Sequence, residues 1–514
     1  MKKYLLLINF FITITAFAQV PEDALRYSFF PQNGTARNLA IGGAMGSLGG
    51  DINATFVNPA GLGFYKTGEF VLSPGLTFLK NKINFRETSN QNNKSNFAFG
   101  TSGFVFGFGS RDKPKVSNAI SLAVTQTANF NNSFQYKGLN NYSSFSEQFA
   151  EEFAKSGYTI DDVLNTSSPL PYGSAPALYT YLIDTVKVNG KYQVKGAPEY
   201  ILDAGQAVRQ EMNRTTKGGI TELAFGYGHN NNDKWYWGFT IGLPIINYNS
   251  NTNYIESDTS NNGSNHFKQF EYNDTYTTKG VGFNAKLGVI YKPQEYVRIG
   301  LAVHTPTIMA LTDTRSTAIH TLLENPDGNF KSSSETFTNN QPGKSSYLQT
   351  TPFKAILSAS YVFREVANVK KQRAFLSADI EYENYKGSNF SSDNSDATEG
   401  EKNYYKQLNS VIKDEYKGNF NFRLGGELKF NTIMTRLGFA YYSTPYKSAP
   451  EKVNRMLLSG GLGYRDKGMF IDLTYVYNIS KDLDLPYRLE DRANTYATLK
   501  QLRGNVALTV GFKF

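Results

Sequence analysis

The sequence NVALTVGFKF, residues 505–514, ends the chain with a strict two-residue alternation. Large apolar side chains occupy one set of positions and small or polar side chains occupy the other: Val506, Leu508, Val510, Phe512 and Phe514 against Asn505, Ala507, Thr509, Gly511 and Lys513. Successive side chains of a β-strand point to opposite faces of the sheet. The pattern therefore predicts a strand with one apolar face, and a terminal phenylalanine is typical of the last strand of an outer-membrane β-barrel.

The same alternation recurs along most of the chain. Ile471, Leu473 and Tyr475, for example, alternate with polar residues. From residue 68 onward about fourteen segments show it, each near the ~10 residues that a tilted strand needs to cross a bilayer. One such strand also fits the core of a soluble sandwich, but that alternative weakens as the pattern repeats. Residues 68–514 are therefore predicted to form an all-β, transmembrane antiparallel β-barrel of about 14 strands.

The segments between these strands fall into two classes that alternate along the chain. Short turns are predicted at residues 111–117, 229–233, 293–295, 365–371, 431–432 and 465–467. Longer loops are predicted at residues 81–95, 131–217, 249–276, 308–349, 387–417, 444–454 and 481–500. Outer-membrane barrels keep short turns on the periplasmic side and long loops outside. An even number of strands then predicts that both termini are periplasmic.

Composition and charge agree with a membrane barrel. The 514 residues include 34 Tyr, 38 Phe and 45 Gly, which supply strand formers and aromatic girdles. After the N-terminus no stretch approaches the ~20 apolar residues of a membrane helix. The chain has no Cys, which excludes disulfides. The formal net charge of +9 favours contact with outer-membrane lipid and anionic lipopolysaccharide, and no basic run is dense enough to indicate nucleic acid as a partner.

Residues 1–18 are predicted to be a signal peptide. Lys2 and Lys3 precede an apolar run over residues 4–15, and Ala16-Phe17-Ala18 presents the small residues of a cleavage site. The apolar run is too short for a membrane anchor. An exported barrel is expected in the outer membrane of a Gram-negative cell.

Residues 19–67 precede the first strand and lack its alternation. Glycines cluster at residues 42–50, and Asn58-Pro59-Ala60 lies just before the barrel. Asn-Pro with flanking glycines fixes a compact turn, so we expect this segment to fold into the barrel lumen as a plug, or hatch. The hatch motif, the strand count and the terminal Phe together resemble the FadL/TodX family of outer-membrane transporters of hydrophobic compounds, in a Bacteroidetes-type form.

This resemblance implies passive transport of hydrophobic small molecules such as long-chain fatty acids, without cofactor and without enzymatic activity. The outer loops would capture the ligand, which would pass to a pocket beside the hatch and leave through an opening in the barrel wall. Asn58, Pro59 and Ala60 are the motif residues of the hatch. The alternative is that they only fold the plug and touch no ligand.

Two other functions stay open. Some FadL-like barrels act as a subunit or cargo shuttle of a larger outer-membrane assembly or secretion complex, with other outer-membrane proteins or lipoproteins as partners. The loop at residues 131–217, where Phe145, Phe149 and Phe153 have helical spacing, suits docking as well as ligand gating. The third hypothesis, a haemin receptor, depends on dispersed histidines for which a polar surface role is the plainer interpretation: His229, His266, His304 and His320.

Charged residues on the polar faces of the predicted strands are expected to line the lumen. Both signs occur, so most are expected to pair with one another or with the hatch. The alternative is that one of the basic side chains holds a ligand carboxylate. The candidates are Arg37 in the hatch and Arg298, Lys354, Arg423 and Arg436 in the barrel. No metal-binding pattern or catalytic triad stands out, and the acidic loop at residues 393–401 lacks an EF-hand pattern.

Overall fold

Antiparallel strands dominate the computed structural model, which describes residues 21–110, 112–188, 190–324, 327–363, 373–448 and 453–514. The predicted signal peptide lies outside these ranges. The strands are β1 (Glu69–Leu72), β2 (Pro74–Phe85), β3 (Thr88–Phe99), β4 (Ser102–Gly109), β5 (Ser117–Asn129), β6 (Asn132–Asn140), β7 (Ile183–Val188), β8 (Lys191–Gly196), β9 (Val208–Asn231), β10 (Trp235–Asp258), β11 (Gln269–Gln294), β12 (Val297–His304), β13 (Ile308–Glu324), β14 (Asp327–Ser333), β15 (Gly343–Thr350), β16 (Lys354–Phe363), β17 (Ala374–Asn384), β18 (Asn389–Ser392), β19 (Gly418–Phe430), β20 (Ile433–Tyr442), β21 (Arg455–Asp466), β22 (Met469–Asp484) and β23 (Ala497–Lys513).

The helices are short and lie in the hatch and the loops. They are α1 (Pro21–Arg26), α2 (Ala36–Ala40), α3 (Ala54–Val57), α4 (Ser146–Ser156), α5 (Ile160–Val163), α6 (Ser174–Tyr179), α7 (Glu199–Asp203) and α8 (Glu399–Glu415), with 3₁₀ turns at Pro59–Phe64, Ser334–Phe337 and Tyr385–Gly387. Among the described residues, no helix is both long and apolar enough to cross a membrane.

The wall is a closed antiparallel barrel of 14 strands, as predicted. Because some of these strands are interrupted, each of the 14 positions in the wall is called a stave. Eight staves are single strands, and the other six are interrupted once, giving the pairs β1/β2, β3/β4, β5/β6, β12/β13, β15/β16 and β17/β18. The last strand closes the barrel, because β23 pairs with β22 on one side and with β1 and β2 on the other. At the closure Phe70 lies opposite Phe512.

The apolar face of each stave points outward. On β23, Leu508 and Phe512 are 36% and 47% exposed, while Ala507 and Thr509 are buried inside. On β19, Leu424 is 54% exposed next to the buried Arg423. A soluble sandwich would bury the apolar set instead. An apolar outer face and a polar lumen are what a bilayer requires of a barrel.

Several predicted loops are in fact strand. The segment at residues 81–95 belongs to a tight hairpin, in which β2 and β3 are joined by Arg86 and Glu87 at φ 45° and 65°. Positive φ at both central residues gives a two-residue turn whose twist matches the right-handed twist of the two flanking strands. Likewise, β6 and β9 reduce the predicted loop at residues 131–217 to residues 141–207. In the extensions of β2 and β6 the polar side chains face outward and apolar side chains such as Ile83, Phe85, Phe134 and Tyr136 are buried, which is the reverse of the membrane-spanning pattern.

The described part of the hatch, residues 21–67, occupies the lumen. Its helix α2 begins after Thr35, whose side chain accepts a hydrogen bond from Asn38 N. Ala36 ties this helix to the wall: its N–H donates to Thr509 Oγ1 at 2.7 Å. Gly42 adopts φ +65°, and a Cβ there would lie 2.6 Å from the carbonyl oxygen of Phe439. Only glycine allows the hatch backbone to approach the wall this closely.

The hatch runs from one end of the barrel to the other. At the loop end, Glu22 forms an ion pair with Arg488, in the long connection between β22 and β23. At the turn end, Gly68 and Phe514 exchange two backbone hydrogen bonds of 2.8 and 3.0 Å. The first and last described segments therefore lie at opposite ends of the barrel. The prediction that both termini are periplasmic concerns the ends of the whole chain and stays a prediction.

The outer loops form a compact cap. The spacing of Phe145, Phe149 and Phe153 predicts a helix, which is α4, and all three rings are buried in the largest apolar cluster of the loops. Glu256 on β10 is fully buried beneath α4, where it accepts hydrogen bonds from Phe145 N at 3.1 Å and Gln210 Nε2 at 2.9 Å. The cap is therefore held to the staves by both apolar packing and a satisfied buried carboxylate.

Candidate ligand cavity

A cavity of about 840 Å³ lies between the hatch, the loop end and staves on one side of the barrel. Its volume falls within the range of pockets that enclose small organic ligands. The hatch contributes apolar side chains, and the wall adds more; these are Leu25, Phe29, Phe30 and Leu39 from the hatch with Val453, Leu457 and Val476 from the wall. The cavity therefore offers an apolar part that suits a hydrophobic chain, and polar and charged side chains line the rest of it.

Two arginines on neighbouring parts of the wall face this cavity without forming an ion pair. The Arg455 guanidinium stacks over the ring of Phe29 at 4.2 Å, and Arg503 lies on β23. Within the described residues neither side chain has a hydrogen bond or an ion pair, and Asp482, which lines the same cavity, lies beyond ion-pair distance of Arg455. By contrast, Arg214 in the same lining pairs with Asp484. These two guanidinium groups therefore place positive charge beside the apolar part of the cavity, where Asp482 attracts Arg455 without forming an ion pair.

A second cavity of about 150 Å³ lies deeper, and its lining includes several charged side chains. Its walls carry a Lys286–Glu222 ion pair and Lys354, whose Nζ lies 3.5 Å from Glu383. Phe30, Gln32 and Asn33 line both cavities, so this short hatch segment is the partition between them. The charges of the deeper chamber are matched by neighbouring charges of opposite sign, whereas Arg503 in the larger cavity forms no ion pair in the described chain.

The five predicted ligand contacts lie elsewhere in the lumen. Arg37 donates to Gly50 O at 3.2 Å and lies 3.6 Å from Glu427, and Arg436 contacts Glu427 and Asp472 at 2.6 Å each. Neither of these two arginines lines a cavity described above.

Two of the other three predicted contacts, Lys354 and Arg423, line the deeper chamber. Arg423 donates to Gln32 Oε1 at 2.7 Å and lies 3.1 Å from Glu381, which also lies 3.8 Å from Lys354. Arg298 stacks over Phe64 at 4.9 Å, near the turn end. The structure therefore brings Lys354 and Arg423 together and leaves Arg298 apart from them.

The Asn-Pro-Ala motif lies against the wall. Asn58 Oδ1 accepts from Ala60 N at 3.1 Å, and Asn58 Nδ2 donates to Gly46 O at 2.6 Å, which joins two parts of the hatch. Asn58, Pro59 and Ala60 are buried and line neither cavity. Their contacts fix the path of the hatch.

The histidines are dispersed in the structure as well. His304 Nε2 lies 2.9 Å from Val57 O inside the lumen, and His320 Nε2 lies 2.7 Å from Asn329 Oδ1 on a loop. His229 pairs with Asn118 at 2.8 Å, and the His266 ring lies against Tyr200. Among the described residues, no group of three or more His, Cys, Asp or Glu residues is placed to hold a metal ion.

The wall is interrupted beside the larger cavity. β4 pairs with β5 as far as Ser102 opposite Val124, but beyond this point β3 pairs only with β2, and β6 pairs only with β9. The edges of β3 and of β5/β6 are bridged by side chains, as in Asn129 Nδ2 to Phe97 O at 3.3 Å and Asn96 Nδ2 to Asn131 O at 3.3 Å. We call this interruption the seam. Ala98, Gln126 and Asn129 at the seam also line the larger cavity.

The sequence contains a pattern from which the inward orientation of the two arginines in the cavity lining could have been predicted. Arg455 shares its face with Leu457 and Ser459, and Arg503 shares its face with Asn505 and Ala507, so strand parity places both inside. Our prediction concentrated on charges in the middle of strands and passed over those near the loop end.

No protein-family model matches this sequence, and no curated protein matches it either. The fold, however, is similar to solved structures. A FadL homologue from Pseudomonas aeruginosa and the toluene transporter TodX from P. putida each superpose with a TM-score of 0.51 at 13% identity, over 94% of this chain and 99% of theirs. The chain therefore has the FadL-type fold, a closed 14-stranded barrel with helices in its loops.

Proposed function

We propose that this protein is an outer-membrane passive transporter of hydrophobic small molecules, and that long-chain fatty acids are its ligand class. The observation that carries this proposal is the pair Arg455 and Arg503, which line a cavity of about 840 Å³ with both polar and apolar walls and form no ion pair in the described chain. The similar fold of TodX, a toluene transporter, supports a hydrophobic ligand. In this proposal the long loops face outward and the C-terminus lies in the periplasm.

The chemistry of the cavity favours an anionic amphiphile over a neutral hydrocarbon. A guanidinium group in a partly desolvated site gains most from a carboxylate, which it can contact through two parallel hydrogen bonds. The apolar lining from Phe29, Leu39 and Leu457 then accommodates the tail. Each buried methylene group contributes about 0.8 kcal/mol, so a long chain gains affinity in proportion to its buried length.

Equilibrium binding to the purified barrel tests this assignment. We expect hexadecanoate to bind more tightly than hexadecanol, which has the same tail and no charge. Arg455→Gln and Arg503→Gln should each weaken hexadecanoate binding about 10-fold or more, since a hydrogen bond to a charged group contributes roughly 1.5–3 kcal/mol. Hexadecanol binding should not change. Arg492→Gln is the matched control, because Arg492 pairs with Glu147 in the loop cap and does not line the cavity.

Transport itself requires a separate measurement. Liposomes that contain the protein should take up labelled hexadecanoate faster than empty liposomes, and the two arginine variants should slow this uptake. Equal affinity for acid and alcohol in every variant would refute the carboxylate assignment. Uptake no faster than in empty liposomes would refute transport and favour the subunit or shuttle hypothesis, which stoichiometric co-purification with other outer-membrane proteins would then test.

A further inference from the structure

Three lysines lie side by side on the outer face of the barrel. Lys82 on β2 is directly opposite Lys500 on β23, and Lys500 is directly opposite Lys481 on β22. All three side chains are exposed. Directly opposite residues of neighbouring strands have Cβ atoms roughly 5 Å apart, and like charges in such pairs destabilise a sheet. This lysine row therefore holds a repulsion that a bound anion would relieve.

The lysine row lies at the loop-end border of the apolar outer face. Along β2 the exposed side chains Leu76 and Phe78 are followed, on the same face, by Lys80 and Lys82. The change from apolar side chains to lysine comes at the same level on β22 and β23, because the three lysines are in register. Lipid headgroups lie just beyond the hydrocarbon of a bilayer. The ammonium groups of the row are therefore at the level of the headgroups.

Neighbouring side chains do not neutralise this positive charge. Within the described residues, Lys82 and Lys500 form neither a hydrogen bond nor an ion pair. The next outward positions on the two strands hold no acid; they are Lys80, Asn84, Thr498 and Leu502. Lys137, which is also exposed on the outer face, differs because it lies opposite Glu211. The lysine row therefore keeps its charge available for a ligand in the membrane.

The spacing of the row favours one kind of anion. A phosphate monoester carries about −1.5 to −2 charge at neutral pH and three strong acceptor oxygens. Two or three adjacent ammonium groups can each donate to one of these oxygens, and lysine is a common ligand of phosphate. Elsewhere at the same border a lysine stands alone: Lys279 is opposite Asn247 and Thr312. Only the row can contact one phosphate group through several ammonium groups.

We propose that the lysine row is a binding site for a phosphate monoester on a lipid headgroup of the outer leaflet, the group that lipid A carries. Lys82 and Lys500 donate to the phosphate, and the acyl chains of the same lipid lie against the apolar face beside Phe78. The site is on the outside of the wall and does not use the larger cavity. Its assignment to the outer leaflet rests on the orientation given in the proposed function, which hexadecanoate uptake tests separately.

Amine labelling of single lysines tests the site in the purified barrel. An acylating reagent is applied in neutral detergent, and mass spectrometry measures the labelling rates of Lys82, Lys500 and Lys279. Lipid A should slow labelling of the first two several-fold and leave Lys279 unchanged. Lipid A without its phosphate groups should protect none of them. Equal protection of all three lysines, or protection of none, would overturn the site, and equal protection by the same concentration of inorganic phosphate would overturn its assignment to a lipid.

Variants of the row test the contribution of each charge. Lys82→Gln and Lys500→Gln should each weaken lipid A binding about 5-fold, and the double variant about 25-fold. Lys279→Gln is the matched control, because it removes an exposed lysine at the same border that has no lysine opposite. A double variant that binds lipid A as tightly as the parent protein would refute the proposal.

The repulsion within the row gives a second readout that needs no ligand. In neutral detergent without lipid A, Lys500→Gln should raise the midpoint of thermal unfolding, because Lys500 is opposite a lysine on each side. Lys279→Gln should leave the midpoint unchanged. Lipid A should then raise the midpoint of the parent protein more than that of Lys500→Gln. The same midpoint in the parent and in Lys500→Gln, with and without lipid A, would contradict a phosphate site at the row.

Discussion

The guanidinium carbon of Arg455 lies 4.2 Å from the ring centre of Phe29, so an arginine of the barrel wall stacks on an aromatic side chain of the hatch. A cation over an aromatic face is attracted by the ring quadrupole. Because the stack uses the face of the guanidinium group, its N–H donors stay free in the plane. The hatch therefore orients Arg455 for an anion without neutralising it.

Replacing Phe29 should weaken the capture of anionic ligands. Phe29→Leu keeps the site apolar but removes the stack, which contributes about 0.5–2 kcal/mol, so hexadecanoate affinity should fall roughly 3- to 30-fold. Equilibrium binding measures the change. The control is Phe64→Leu, since Phe64 stacks on Tyr236 at 4.0 Å and lies outside the larger cavity. An equal loss of affinity in both variants would contradict a specific role for the stack.

Removing the Asn58 side chain should loosen the hatch without unfolding the barrel. Asn58→Ala leaves Gly46 O and Ala60 N without their partners, and buried polar groups that lose a partner destabilise a structure by about 1–3 kcal/mol each. Hydrogen exchange in residues 43–64 should become faster, while exchange in β19 to β22 stays slow. Asn394→Ala, on an exposed loop, is the control. Unchanged exchange in the hatch would show that Asn58 does not anchor it.

A charge on the outer face should destabilise the barrel in lipid. Leu424 points outward near the middle of β19, so Leu424→Arg should reduce the free energy of unfolding by roughly 2–4 kcal/mol. Denaturant titration in lipid vesicles measures this loss. Tyr192→Arg, at a position 77% exposed in the outer hairpin, should have little effect. A similar stability for both variants would mean that Leu424 does not face the bilayer.

The outer cap should loosen as the pH rises. Burial raises the pKa of Glu199 to about 7, although a hydrogen bond from Gly196 N opposes this shift. The folded cap therefore prefers the protonated acid, so the contribution of Glu199 to stability is complete below pH 4.5, the ordinary pKa of Glu, and is lost as the pH rises through about 7.

Hydrogen-exchange protection of α7 measures this effect. Protection should be lower at about pH 9 than at about pH 5, and Glu199→Gln should remove most of the difference because it cannot ionise. The same pH dependence in Glu199→Gln would assign it to another group, such as Glu147, whose pKa burial also raises.

The sequence predicted the strands of the wall well where they cross the bilayer, because contact with lipid requires an apolar side chain at every second position. Leu424 outside and Arg423 inside follow from parity alone, because lipid excludes one kind of side chain and the lumen tolerates the other. Strand segments that extend beyond the membrane do not need an apolar outer face. Residues 88–96 have polar side chains throughout, so the upper part of β3 gave no pattern and was predicted as loop.

The site was harder to predict because it depends on which charges remain unpaired. Parity places Arg436 and Arg455 inside the barrel alike, yet Arg436 contacts two carboxylates and Arg455 contacts a ring. Pairing is decided by neighbours that are distant in the chain, such as Asp472 and Phe29. The seam has no recognisable sequence pattern either. Hydrogen bonds from amide side chains replace the backbone hydrogen bonds between strands there, and these amide side chains do not recur at a regular spacing.

The passage of the hatch through the lumen has a consequence for how the plug is connected to the wall. In the described part of the chain, the hatch passes through the lumen from a position beside Arg488 to a position beside Gly68 before the wall begins. The residues that follow Gly68 form the stave that pairs with β23, so the seal at Phe70 and Phe512 is made by the segment attached directly to the plug. The plug is therefore continuous in sequence with one edge of the seal, so the segment that fills the lumen and the strand that closes the wall are joined at Gly68.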